Sequence, residues 1–347
     1  MSSDNLEVVT YAPLNAETPR EQLKDAITPA ASVYVRTNFD VPHLDVTHHQ
    51  ILVDGAVATP FAIRVAELRQ LPTVALTSTM ECAGNDRLSL RPVPGGEPWT
   101  GGAISTAHWS GVPLRALLER AAITPGAVEV LVEGGDRGER ADSHEPVTFA
   151  RSLPIADALS PNTLLGLEMN GAPLTPEHGA PVRLVVPGWY GMASVKWVTR
   201  VRVLTTPYTG YFQTRRYVYQ SGDRTEPVTR MLVKSIIVAP GEGSVHNRGP
   251  INVWGWAWSG SAAINRVELA VGDGEWREVE VEAPASPHAW SRWQTVILPE
   301  RPGRHVLRTR ATDATGATQP DAPVWNQLGY GNNAVQPVVI DVRRTEP

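Results

Sequence analysis

The chain has 347 residues, with 31 Lys and Arg against 36 Asp and Glu, a net charge of −5 and 19% charged residues. That length favours two domains, and the charge balance offers no basic field for nucleic acid. Thirty prolines and 29 glycines, with no apolar stretch long enough to span a bilayer, point to a loop-rich and strand-rich protein and away from a membrane.

The N-terminus carries Asp4 and Glu7 where a secretory leader needs a basic and then apolar run, and Arg215-Arg216 is internal, so a cytoplasmic location is expected. Residues 1–30, broken by Pro13, Pro19 and Pro29, read as an N-terminal arm that wraps on a domain or stays partly disordered. From residue 31 short alternating strands begin, among them Gln50-Ile51-Leu52-Val53 before an Asp54-Gly55 turn. Pro113 followed by Leu114, Leu117, Leu118 and Ala121 predicts a helix with one apolar stripe, closed by Pro125-Gly126. Val128 to Val132 reads as a buried strand that ends at Glu133-Gly134-Gly135, placing Asp136 just past a strand end. Val195, Trp197, Thr199, Val201 and Val203 alternate along one strand face, which sends Lys196, Arg200 and Arg202 to the other.

The texture becomes all-β over 229–347, where Val253 to Trp258 and Val267 to Val271 alternate and seven of the 11 tryptophans lie. Short strands at regular spacing suit an immunoglobulin-like sandwich without a disulfide, since the chain holds 1 cysteine. Those tryptophans suit a sandwich core or a two-fold interface.

That cysteine is Cys82, in Met80-Glu81-Cys82-Ala83-Gly84-Asn85-Asp86-Arg87. One sulfur excludes a disulfide, a four-cysteine zinc site and an iron–sulfur cluster. A buried inert thiol and a metal-bound thiolate both remain open on the residue alone.

Cys82-Ala83-Gly84-Asn85-x-Arg87 closely resembles the signature of the sulfite oxidase family of molybdenum enzymes. Met169-Asn170-Gly171-x-Pro173-Leu174, His178-Gly179-x-Pro181-x-Arg183 and Pro187-Gly188-Trp189-Tyr190-Gly191-x2-Ser194-Val195-Lys196-Trp197 are similar to its cofactor-binding core. Gly102-Ala103-Ile104-Ser105, between Trp99 and Trp109, is similar to the segment after the family's cysteine. The resemblance runs from about Tyr34 to the C-terminus. It implies an α+β protein: a mixed α/β molybdopterin-binding domain over 31–228 followed by an immunoglobulin-like dimerisation domain over 229–347, and hence a homodimer.

The same resemblance implies Cys82 as the ligand of molybdenum, with Asn38, Asp136, His178, Arg183, Ser194, Val195 and Lys196 holding molybdopterin. It implies Arg36, Arg87, Trp99 and Tyr217 around a small oxyanion, sulfite above all, which would be oxidised to sulfate by oxygen-atom transfer. Cationic arginines suit a compact dianion. Electrons would leave to an external acceptor, a cytochrome or oxygen, because one cysteine cannot attach a haem through Cys-x-x-Cys-His. Asn38, where the family often has histidine, Asp86, which would weaken the positive potential beside Arg87, and Leu328, in the place of an arginine, depart from the pattern. They leave open oxygen removal from nitrate or a sulfoxide and, more remotely, a non-catalytic molybdopterin-binding role.

Overall fold

The computed structural model describes residues 5–143, 145–222 and 224–343, so Asp4 lies outside the described residues. The N-terminal segment folds as a hairpin of Glu7–Tyr11 and Leu14–Glu17, to which Val35–Arg36 adds a third strand with Asn15 opposite Arg36. A buried carboxylate fixes it. Glu17 accepts from the backbone N–H groups of Thr100 and Gly102 at 3.0 Å and from the Thr100 hydroxyl at 2.7 Å. Glu17→Ala leaves these donors without an acceptor, and unfolding in denaturant is expected to show a loss of about 1–3 kcal/mol. An unchanged midpoint would mean that the arm merely rests on the domain.

Two sheets make the first unit. One has the order Ala172–Pro173, Leu164–Met169, Ile104–Pro113, Val74–Glu81, with Arg183–Val185 also paired to Leu164–Met169. The other runs Phe61–Arg64, Gln50–Gly55, Val198–Leu204, Glu129–Gly138, Val147–Pro154; Gln50–Gly55 and Val198–Leu204 are parallel and the remaining pairs antiparallel. The period of two drives Ile51 and Val53, Val130 and Val132, and Val201 and Val203 into one core. The helix Leu114–Ala121 adds Leu114, Leu117, Leu118 and Ala121, all 0% exposed, and ends where Ala122 turns left-handed at φ 55°. Its stripe is the one its spacing predicts.

Two strands differ from their sequence reading. The strand begun near Val128 runs on to Gly138 and contains Asp136, because a register break against Val147–Pro154 between Glu133 and Arg137 bulges it. Gly134 makes room for this: a Cβ there would stand 2.6 Å from Asp136 Oδ1. The strand begun at Val195 starts instead at Val198, since Trp197 sits at φ 54°. Lys196 therefore belongs to a loop and not to the outer face shared by Arg200 and Arg202.

The second unit packs a sheet of Lys234–Ala239, Ile251–Trp258, Ser291–Ile297 and Glu280–Val281 on one of Val245–His246, Val338–Val342, Gly303–Asp313, Ile264–Val271 and Arg277–Glu278. Ile237, Val253 and Trp293 from the first meet Val267, Leu307 and Ile340 from the second in a sandwich core. Its tryptophans also serve the junction within the chain. Trp256 and Trp290 stack at 4.6 Å, and their indole N–H groups donate to the carbonyls of Leu23 and Ala26 at 2.6 and 2.9 Å. No helix among the described residues is long and apolar enough to cross a membrane.

Candidate functional site

Cys82 follows directly on the strand Val74–Glu81. Its N–H donates to the Ala103 carbonyl at 2.8 Å, and Asn85 clamps the loop by donating to Glu81 Oε1 and accepting from the Ala103 N–H, both at 3.0 Å. These bonds leave the sulfur out of the scaffold. Cys82 faces a cavity that Arg36, Asn38, Asp136, His178, Arg183, Ser194, Lys196 and Tyr217 also line.

The inner cavity holds charge without enough partners. Asp136 Oδ1, Arg183 Nε and Trp109 Nε1 are buried with no hydrogen-bond partner among the described residues. Arg183 donates to the carbonyls of His178 at 3.1 Å and Ser194 at 3.2 Å, and the Lys196 ammonium donates to the Glu177 carbonyl at 2.8 Å. Burial pushes the Asp136 carboxyl up to about 6 against the pull of Lys196. Burial pushes His178 down to about 3, with Arg183 adding to the effect, and brings Arg183 to about 10. Lys196 is lowered by burial and by Arg183. Such a chamber favours a ligand that is anionic in one part and presents ring N–H groups in another. Burial also raises the Cys82 thiol despite the pull of Arg36, which favours the neutral thiol over a free thiolate.

A second chamber adjoins the first. Arg36, Asn38 and Tyr217 line both, and the outer one adds Arg87, Glu97, Arg140, Arg216, Leu328 and Tyr330. Arg36 donates to Asn15 Oδ1 at 3.1 Å, to Asn38 Oδ1 at 2.9 Å and to the Thr37 carbonyl. Arg140 reaches the Asn38 carbonyl at 2.9 Å and its Oδ1 at 3.1 Å. The Asn38 amide thus sits between two guanidiniums, where a neutral acceptor fits and a protonated histidine would be repelled. Its Nδ2 donates to the Tyr217 hydroxyl at 3.2 Å. Tyr217, at φ 52°, stacks on Tyr330 with ring centroids 5.2 Å apart.

Arg87 is threaded through glycines. A Cβ on Gly84, Gly96 or Gly329 would stand 2.4, 3.1 or 3.0 Å from its side chain. The guanidinium donates to the carbonyls of Glu97 at 2.7 Å and Leu328 at 3.3 Å and lies 5.2 Å from the Tyr330 ring centre.

Nine of the residues read from the sequence therefore line the inner cavity: Arg36, Asn38, Cys82, Asp136, His178, Arg183, Ser194, Lys196 and Tyr217. Arg87 lines the outer chamber. Two residues do not reach either wall. Trp99 is 0% exposed in the core that also holds Val33 and Tyr34, and Val195 is 0% exposed in the main core with its carbonyl bound to the Leu184 N–H. The expected effect of Asp86 is also corrected. Asp86 lines neither chamber and forms a buried ion pair with Lys234, which Glu81 shares. Leu328 contributes its carbonyl to Arg87, and its side chain packs on the core.

Sequence reasoning missed Glu97, Arg140 and Tyr330. Tyr330 directly follows Trp325-Asn326-Gln327-Leu328-Gly329, the segment that holds Leu328, and had that signal; Glu97 and Arg140 sit in loops with no local pattern.

Residues 38–212 match the family model of the oxidoreductase molybdopterin binding domain, and residues 225–343 that of the Mo-co oxidoreductase dimerisation domain. Mitochondrial sulfite oxidase of Mus musculus is 33% identical over 363 residues, covering 97% of this chain. The chain belongs to the sulfite oxidase family of molybdopterin oxidoreductases. It spans 66% of the length of that mouse relative. Inducible nitrate reductase [NADH] 2 of Glycine max is 29% identical over 92% of this chain and 40% of its own length. The sulfane dehydrogenase SoxCD of Paracoccus pantotrophus has a structure that superposes with a TM-score of 0.84 at 28% identity, over 97% of this chain and 88% of that one. The family's cofactor, Mo-molybdopterin, fits the inner cavity on the structure's own terms. Asp136 and Arg183 keep unpartnered polar atoms there, Lys196 and His178 stand beside them, and Cys82 lines the same cavity as a thiol, a metal-ligating side chain.

Proposed function

We propose that the protein oxidises sulfite to sulfate. The observation that supports this most directly is the pair of adjoining chambers joined through Arg36, Asn38 and Tyr217, one built around Cys82 and the other around arginines. When bound, Mo-molybdopterin supplies a two-electron redox couple for oxygen-atom transfer. Cys82 would ligate the metal, Asp136 would accept from pterin N–H groups, and Arg183, Lys196 and His178 would donate to its oxygens and phosphate.

Arg36, Arg87 and Arg140 bind the anion and neutralise its charge, and Tyr217 directs its hydroxyl to the boundary between the chambers. Donors held in place by the fold, as Arg36, Arg87 and Arg140 are by their hydrogen bonds, are already oriented before substrate arrives, which is where most electrostatic acceleration originates. The net reaction consumes sulfite and water and yields sulfate, two protons and two electrons. An external acceptor, a cytochrome or oxygen, takes the electrons, and the dimerisation domain supports a homodimer.

The nitrate reductase relative keeps a second reading open, oxygen removal from nitrate or a sulfoxide. Protein purified from a molybdenum-replete host is expected to hold about one molybdenum per chain, by the single cysteine ligand, and to reduce ferricyanide when sulfite is added. Nitrate-dependent oxidation of a reduced dye, without sulfite turnover, would overturn the sulfite reading.

A further inference from the structure

Glu97 brings a carboxylate into the outer chamber. Its Oε1 lies 3.2 Å from Arg36 Nη2 and its Oε2 lies 4.0 Å from Arg87 Nη1. A carboxylate offers two oxygens to two guanidiniums in the way an oxyanion does, so Glu97 stands in the seat that a small oxyanion would take. Burial would raise its pKa, but Arg36 first and then Arg87 hold it below the ordinary carboxylate range, and it stays ionised.

The arginines and the carboxylate are not equally free to move. Arg36 is held by Asn15, the Thr37 carbonyl and Asn38, and Arg87 by its glycine slot and two carbonyls. The Glu97 side chain keeps 23% of its surface exposed against 17% for Arg36 and 3% for Arg87, and it follows Gly95-Gly96, with Gly96 at φ 121°. Of the three side chains, that of Glu97 is the least restrained, although its backbone carbonyl is bound by Arg87 and by the Trp99 N–H.

We propose that Glu97 is a displaceable internal anion that competes with the incoming oxyanion for Arg36 and Arg87. It weakens oxyanion binding and speeds release of the anionic product. The proposal rests on the reading of the outer chamber as the substrate seat. With Glu97 present, an oxyanion has to exchange for a bound carboxylate or share the arginines with it, and like charges so close are unfavourable.

The test is sulfate binding by titration calorimetry on the purified protein, at low and at raised ionic strength, for the wild type, Glu97→Gln and Glu97→Ala. Both variants are expected to bind sulfate about tenfold more tightly than the wild type. The difference should shrink as salt screens the partly exposed carboxylate, a dependence that mere loosening of the loop would not produce. The KM for sulfite should fall by a similar factor. Sulfate affinity unchanged or weakened in both variants would overturn the proposal. Sulfate binding does not depend on turnover, so tightened binding without sulfite oxidation would remove the sulfite reading and leave the role of Glu97. Sulfite oxidation with sulfate affinity unmoved by either substitution would remove that role alone.

Discussion

Serine in place of Cys82 is expected to lower sulfite-dependent ferricyanide reduction by more than about a hundredfold while the protein remains folded. Losing even an outer-sphere partner of a metal site costs about 10–100-fold, and Cys82 would be the protein's own sulfur ligand. A serine oxygen is harder and at neutral pH stays protonated, so it replaces neither the softness nor the charge of a thiolate. The fold should survive because the loop is held by the Asn85 amide and by backbone bonds of Cys82, none of which uses the sulfur. Circular dichroism and thermal melting check the fold, metal analysis checks loading, and ferricyanide reduction checks turnover. Wild-type turnover in the serine variant would refute the ligand role.

Lys234→Met should produce the largest loss of stability. The Lys234 ammonium is completely buried, forms an ion pair with Asp86, lies 3.4 Å from Glu81 Oε1 and donates to the Asn332 carbonyl at 2.9 Å. Burial works against its charge, but Asp86 first and then Glu81 keep it protonated. Removing the cation strands two buried carboxylates, which costs on the order of 3–5 kcal/mol. Denaturant unfolding measures that loss. Adding Glu81→Gln and Asp86→Asn should restore much of it, because a pocket without charges no longer needs the cation. If the single substitution left stability unchanged, the ion pair would not matter to the fold. The network also reaches the site: Glu81 precedes Cys82, accepts from Asn85, and accepts from the Trp258 indole N–H of the second unit at 3.0 Å. The loop that carries the cysteine is thus braced by the sandwich as well as by its own sheet.

The chemistry of the inner cavity was legible because it resides in contiguous motifs. Cys82 comes with Asn85 and Arg87, and His178 with Arg183, Ser194 and Lys196; local geometry and function select such residues together. Strand limits were less legible. Asp136 is turned inward by a bulge that depends on its pairing with Val147–Pro154, and Lys196 by a left-handed Trp197, neither of which alternation can express. Trp99 and Val195 stand beside functional residues in the chain, yet their own side chains fill the core. Glu97 and Arg140 reach the outer chamber from loops whose placement depends on tertiary packing. Lys234 did carry a signal: it shares a strand face with the apolar Ile236 and Val238, and a lone charge on such a face implies a buried partner.

The glycine slot around Arg87 has a further consequence in conformational entropy. A free arginine side chain carries about 2 kcal/mol of rotamer entropy, which is ordinarily lost when it closes on a ligand. Gly84, Gly96 and Gly329 remove the alternatives before any ligand is present, because the three backbones leave one corridor for the guanidinium. That loss is incurred once, during folding, and is shared by every later binding event. Engineering the outer chamber for a different anion therefore has a narrow entry point at position 87: a shorter cation would leave the corridor empty, and a bulkier residue at any of the three glycines would close it.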